Sequence, residues 1–269
     1  MTHDPLTIAG MAVAGLVIGS FLNVLIHRLP IMIEQSWAPP EDATAPQLSL
    51  AQPGSQCPHC QHPIAWRDKL PLLSFALLDG RCRHCHHRIS WQYPLIEAIT
   101  AALFVWSLLA HAAWGSALAW AGFASALLAL AVIDAQTTWL PDTLTQPLTW
   151  AGLIAAALGC SSVALPDALA GAVAGYLSLW SVYWLFLLVT GKEGMGHGDF
   201  KLLAALGAWF GWQHLLAIIL IASVSGLLVA LLLLWRGQLP QSRQIAFGPF
   251  LALAGAWMMF FGAPRALTL

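Results

Sequence analysis

Ala131-Val132-Ile133-Asp134 closes an unbroken apolar run, and the next acidic residue of the same kind stands at the end of Gly196-His197-Gly198-Asp199. A carboxylate where an apolar span meets a loop is expensive to keep and marks a functional position by default. Asp134 and Asp199 are therefore the first candidates for a pair of catalytic carboxylates.

The rest of the chain sets them in a membrane. With 59% hydrophobic residues, 9% charged residues and a mean hydropathy of +0.73, most of the chain lacks the charge that a water-facing surface needs. Stretches of spanning length lie at about 6–26, 95–113, 116–133, 143–160, 168–190, 213–235 and 246–263, with a shorter apolar segment at about 200–212. The expectation is an all-α polytopic membrane protein with about eight membrane segments. An outward N-terminus places Arg28, Arg67, Lys69, Arg81, Arg83, Arg88, Lys192, Lys201, Arg236 and Arg243 in the cytosol and leaves only Arg265 outside, as the positive-inside rule requires. The first stretch has no basic residue before it and no small-residue cleavage site, so it reads as a retained span. A net charge of -1 offers nothing to nucleic acid.

Three parts follow: a first span at 1–28, a polar cytosolic insertion at 29–94, and a membrane domain at 95–269. The insertion holds Cys57-x2-Cys60 and Cys82-x2-Cys85. Four thiolates suit one tetrahedral zinc, which would organise a segment with too little apolar material for its own core. His59, His62, His84, His86 and His87 crowd the knuckles, so a mixed Cys/His set stays open; disulfides do not suit a reducing compartment. Four protein ligands leave no position for a water, so the zinc is structural. Cys160 reads as a small packing residue.

No His-Glu-x-x-His helix and no Gly-x-Ser-x-Gly elbow occurs, which returns any hydrolytic chemistry to the carboxylates. Two that share one proton can activate water and protonate a carbonyl oxygen in the same step. Asp142, after Pro141 and before Thr143, has the context of a helix N-cap. Gly194, Gly196 and Gly198 would let the loop before Asp199 turn sharply and a substrate backbone come close.

These residues carry a resemblance over almost the whole chain. Ile18-Gly-Ser-Phe-Leu-Asn-Val-Leu-Ile-His-Arg-Leu-Pro30, the double CxxC followed by Ile89-Ser90 and Tyr93-Pro94, Ile133-Asp134 with Leu140-Pro141-Asp142, Glu193-Gly-Met-Gly-His-Gly-Asp-Phe-Lys-Leu-Leu202 and Phe247-Gly-Pro-Phe250 resemble the bacterial type IV prepilin peptidases. The resemblance implies an intramembrane aspartic endopeptidase of the inner membrane, with Asp134 and Asp199 in the catalytic positions and Asp142 in a non-catalytic one. It implies prepilin or pseudopilin substrates, cut at the cytoplasmic face and serving pili, type II secretion or DNA uptake. It also implies methylation of the new N-terminal residue with S-adenosylmethionine. Gly80-Arg81 matches the position tied to methyl transfer, and Lys69 departs from the family's usual Asn.

Three smaller readings remain. Gly15, Gly19, Asn23 and His27 form one stripe on the first span, suited to close helix packing. Glu97 reads as a first-turn carboxylate that complements a helix N-terminus. Several tryptophans, Trp139 and Trp235 among them, fall near span ends as interface anchors. Besides the bifunctional enzyme, a peptidase without methyl transfer and a carboxylate-bearing transporter stay open, the latter without a midplane site or an internal repeat in its favour.

Overall fold

The computed structural model describes residues 4–37, 48–192, 194–238 and 245–262. Glu193, Arg243 and Arg265, which entered the motif and charge readings, lie outside the described residues. The described chain is helical, with no sheet: α1 (Pro5–Trp37), α2 (Leu73–Leu77), α3 (Gln92–Ala110), α4 (Trp114–Thr137), α5 (Asp142–Ala157), α6 (Leu165–Thr190), α7 (His197–Phe210), α8 (Leu215–Trp235) and α9 (Gly248–Phe261). All but the short α2 occupy the eight apolar stretches expected from hydropathy. Among the described residues α1, α3, α4, α6 and α8 with the turn before it are long and apolar enough to cross a membrane. The chain is a polytopic membrane protein.

Two compact units divide it, Met1–Ala121 and Gly122–Leu269. In the first, α1 and α3 run antiparallel. Gly15 lies against Ala101 and Gly19 against Glu97, so close that an added Cβ would stand 2.6 Å and 2.7 Å from the facing Cα atoms. One turn further along, the Asn23 amide donates to the Tyr93 carbonyl at 3.1 Å. The small-residue stripe is thus a helix seam, while His27 is exposed. Beyond the seam, the Arg28 guanidinium donates to the carbonyls of Ser49, Leu50 and Gly54 and pins the insertion's returning strand of chain to α1.

The second unit is built around α7. Its residues from Leu202 to Phe210 are all buried, in keeping with a helix that is apolar on every side. At 14 residues it measures about 21 Å, short of a hydrocarbon core of about 30 Å. It sits instead inside the unit, between α5 and α6. Gly171 of α6 meets Gly207 of α7 backbone to backbone, and Gly175 faces Leu203. On the other side the Trp209 indole donates to the Leu148 carbonyl of α5 at 2.9 Å.

Candidate active site

Asp134 lies in the last turn of α4 and is 4% exposed; Asp199 lies in the first turn of α7 and is 7% exposed. Both therefore belong to the second unit. The end of α4 is closed by Thr138, whose left-handed backbone (φ 57°) returns its amide to the Asp134 carbonyl at 2.8 Å. Asp199 is the third residue of α7, and its carboxylate reaches back to the amide of the capping Gly196. Asp134 is met by the amide of Gly248, the first residue of α9. Each carboxylate is thus held by an amide at a helix N-terminus, where unpaired N–H groups and the helix dipole favour negative charge.

The two acids are near enough for the charge of Asp134 to be felt at Asp199. Leu140, in the short link between α4 and α5, explains their approach. A Cβ at Gly198, beside Asp199, would stand 2.6 Å from the Leu140 Cβ, and a Cβ at Gly248 would stand 3.1 Å from the Leu140 Cδ1 and 2.5 Å from Asp134 Oδ2. One leucine therefore touches the backbone next to both carboxylates. Asp134 Oδ2 is buried without a hydrogen-bond partner, an acceptor free to take a donor.

The glycines of the loop act differently from the expectation of a sharp turn. The left-handed residue is Gly191 (φ 68°) at the end of α6, whereas Gly198 is required by the contact with Leu140. Asp142 does not cap α5 either. Pro141 holds the cap position, and the Asp142 carboxylate takes the Lys201 ammonium at 2.6 Å, tying α5 to α7 beside Asp199. Lys201, Leu140 and Gly248 are the parts of the site that the residue pattern did not single out. The resembling motifs carried Leu140, Lys201 and Gly248 without giving any of them a role.

In the first unit, Cys57, Cys60, Cys82 and Cys85 place their sulfur atoms within 4.8 Å of one another. The Cys57–Cys85 sulfur distance is 3.8 Å, and tetrahedral zinc with bonds of about 2.3 Å sets its sulfurs about 3.8 Å apart. The cluster could hold zinc. Amides of Cys60 and His59 pull the Cys57 thiol down to about 7 against the opposing effect of burial. At Cys85 the His87 amide pulls down, but burial and the other three thiols push it up to about 12, so a cation is needed to ionise the whole set. The two knuckles repeat each other: Cys57 and Cys82 each donate their amide to the carbonyl of the residue five ahead, His62 and His87. His59 stacks on His87 and His62 on His84, with ring centroids 4.3 Å and 4.1 Å apart. These four histidines pair with one another, and the donor set that converges is four thiols.

Gly80 closes the turn into the second knuckle with a left-handed backbone (φ 64°) under the Phe75 ring, where a Cβ would stand 2.8 Å from the ring carbon. Arg81 is exposed and pairs across the knuckle with Arg88 as a short backbone bridge. Glu97 is not in the first turn of α3, which begins at Gln92. It is the sixth residue, 8% exposed, and its carboxylate accepts the Leu72 amide at 2.9 Å.

Comparison with known proteins gives the same division. Residues 13–111 match the bacterial peptidase A24 N-terminal domain, and residues 121–231 match the type IV leader peptidase family. A protein of Burkholderia pseudomallei (strain 1026b) named prepilin leader peptidase/N-methyltransferase is 47% identical over 267 residues, covering 96% of this chain and 86% of that one. Proteins of the same name from Pectobacterium carotovorum subsp. carotovorum and Aeromonas hydrophila are 48% and 49% identical, covering 93% and 92% of this chain and 91% and 88% of theirs. No solved structure matches significantly. Identity near one half over nearly its whole length settles the kinship, and the chain belongs to the type IV leader peptidase family.

Proposed function

We propose that this chain is a membrane aspartic endopeptidase that removes the leader of type IV prepilins and pseudopilins and then methylates the new N-terminal amine. The observation that carries the first activity is the pair of buried carboxylates, Asp134 and Asp199, drawn together by Leu140 and each held at a helix N-terminus. Two carboxylates that feel each other hold one proton between them. The ionised one takes a proton from water, whose oxygen attacks the scissile carbonyl, while the protonated one donates to the carbonyl oxygen. Collapse of the tetrahedral intermediate breaks the C–N bond, and the proton taken from water passes to the leaving amine. Asp134 Oδ2, buried and without a partner, is the natural acceptor for that water.

The site needs no deep water channel if its substrate has a polar leader followed by an apolar helix, because the scissile bond then lies at the membrane surface. We place both aspartates and the insertion at the cytoplasmic face of the inner membrane, with the N-terminus periplasmic, from the distribution of basic residues. Zinc on Cys57, Cys60, Cys82 and Cys85 would be structural, since four thiolates fill its coordination. S-adenosylmethionine would supply the methyl group as an electrophilic sulfonium, and we assign that step to the first unit, with Gly80 and Arg81 in its neighbourhood. The names of the relatives favour the bifunctional reading over a peptidase alone or a transporter. Incubation of the purified protein with a leader-bearing pseudopilin peptide, read by mass spectrometry, tests both steps. A cut at the leader junction and a gain of one methyl group are the expected results, and an intact precursor refutes the first.

A further inference from the structure

The α1–α3 seam contains two polar groups that helix packing does not require. Asn23 is 4% exposed and donates its side-chain amide to the carbonyls of Gly19, at 3.3 Å, and Tyr93, at 3.1 Å. Because both neighbours are acceptors, the amide orientation is decided: the NH2 group faces them, and Oδ1 points elsewhere. That oxygen is buried and has no partner. Glu97, 8% exposed, receives the Leu72 amide and the Ser20 hydroxyl. The ion pairs among the described residues, Arg83–Asp68 and Lys201–Asp142, give it no basic partner.

Gly19 faces Glu97 across the seam and Asn23 faces Tyr93, so Asn23 and Glu97 occupy successive rungs of an antiparallel pair. Side chains on a helix lean toward its N-terminus. On antiparallel helices that direction carries Asn23 toward the Glu97 rung and Glu97 toward the Asn23 rung. The Leu72 amide that meets Glu97 comes from a residue held at φ 57°, ψ −45°, a conformation that side chains rarely adopt and that surrounding structure must impose.

A free neutral acceptor one rung from a buried carboxylate without a counter-cation describes a receptor for a group that is at once an N–H donor and positively charged. We propose that Asn23 Oδ1 and the Glu97 carboxylate bind the α-ammonium group that leader removal creates at the N-terminus of the mature substrate. This rests on the reading of the chain as an enzyme that methylates that amine, and it assigns the acceptor nitrogen a place in the first unit. The methyl donor's sulfonium carries no N–H, but its own α-ammonium group is the competing occupant, and loss of the free-amine preference on adding S-adenosylmethionine would assign the site to the donor and overturn the proposal.

The test uses the full-length, zinc-loaded protein in detergent and two fluorescent peptides with the sequence of a mature pseudopilin N-terminus, one with a free amine and one N-acetylated. The free-amine peptide is expected to bind the wild-type protein at least about ten-fold more tightly, the worth of one charge-assisted hydrogen bond. Glu97→Gln, which keeps shape and loses charge, should erase most of that preference without weakening the acetylated peptide. Asn23→Leu should do the same, and zinc content reports whether each variant keeps the fold of the first unit. Equal binding of the two peptides by the wild-type protein overturns the proposal, even where neither variant folds. So does an undiminished preference in a folded Glu97→Gln protein. Wild-type methylation of the free-amine peptide with S-adenosylmethionine, measured by mass spectrometry in the same preparation, shows separately whether the underlying enzymatic reading holds.

Discussion

Leu140 and Gly198 touch so closely that one added methyl group at Gly198 would stand 2.6 Å from the leucine Cβ. Neither residue is acidic, yet their contact fixes where the first turn of α7, and hence Asp199, lies against the end of α4. Gly198→Ala is expected to push α7 away from Leu140 and lower leader cleavage by about a hundred-fold or more, since displacements of about 1 Å cost that much in positioned chemistry. Gly248→Ala should act likewise at Asp134, where its Cβ would press on Oδ2. Cleavage rates against unchanged zinc content check both, and wild-type rates in either variant would show that the contact does not position the site.

Asp134→Asn and Asp199→Asn should each abolish cleavage in a protein that still inserts and still holds metal, because an amide can neither release nor accept the shared proton. Asp142→Asn should retain substantial activity. Its carboxylate, 51% exposed, pairs with Lys201 at the surface, and such pairs are worth about 0.2–1 kcal/mol. A peptide cleavage assay that found Asp142 indispensable and Asp134 dispensable would reverse the assignment.

Replacing any of Cys57, Cys60, Cys82 or Cys85 by Ser should lower zinc content and open the insertion to proteolysis, because metal binding supplies folding energy to so small a segment. Chelation should have the same effect on the wild-type protein. Full stoichiometric zinc in a Cys57/Cys82 double variant would transfer the ligand role to the stacked histidines.

Methylation and cleavage should separate by unit. Arg81→Ala is expected to impair methyl transfer to a precleaved peptide while leader cleavage stays measurable; Gly80→Ala additionally strains a left-handed turn under Phe75 and should loosen the knuckle itself. The Asp199→Asn protein should still methylate a precleaved peptide. Joint loss of both reactions in Arg81→Ala, with zinc intact, would indicate one shared site.

The apolar segments, the four thiols and the two aspartates were legible in the chain itself because each is a local contrast: a charge that ends an apolar run, or cysteines spaced for one ion. Such contrasts survive without knowledge of what packs where. The length of α7 was legible too, but not that it lies inside the second unit, since an apolar run looks the same against lipid as against α5 and α6. Tertiary structure alone decided the partners. Leu140 meets Gly198 and Gly248 from 58 and 108 positions away, Lys201 takes Asp142 from the cap position expected of it, and the Glu97 carboxylate is met by an amide 25 residues earlier. Contacts of that kind depend on how helix faces rotate and which glycines let backbones approach. No window of neighbouring residues records them, because hydropathy and spacing describe a segment and not the surface it will meet.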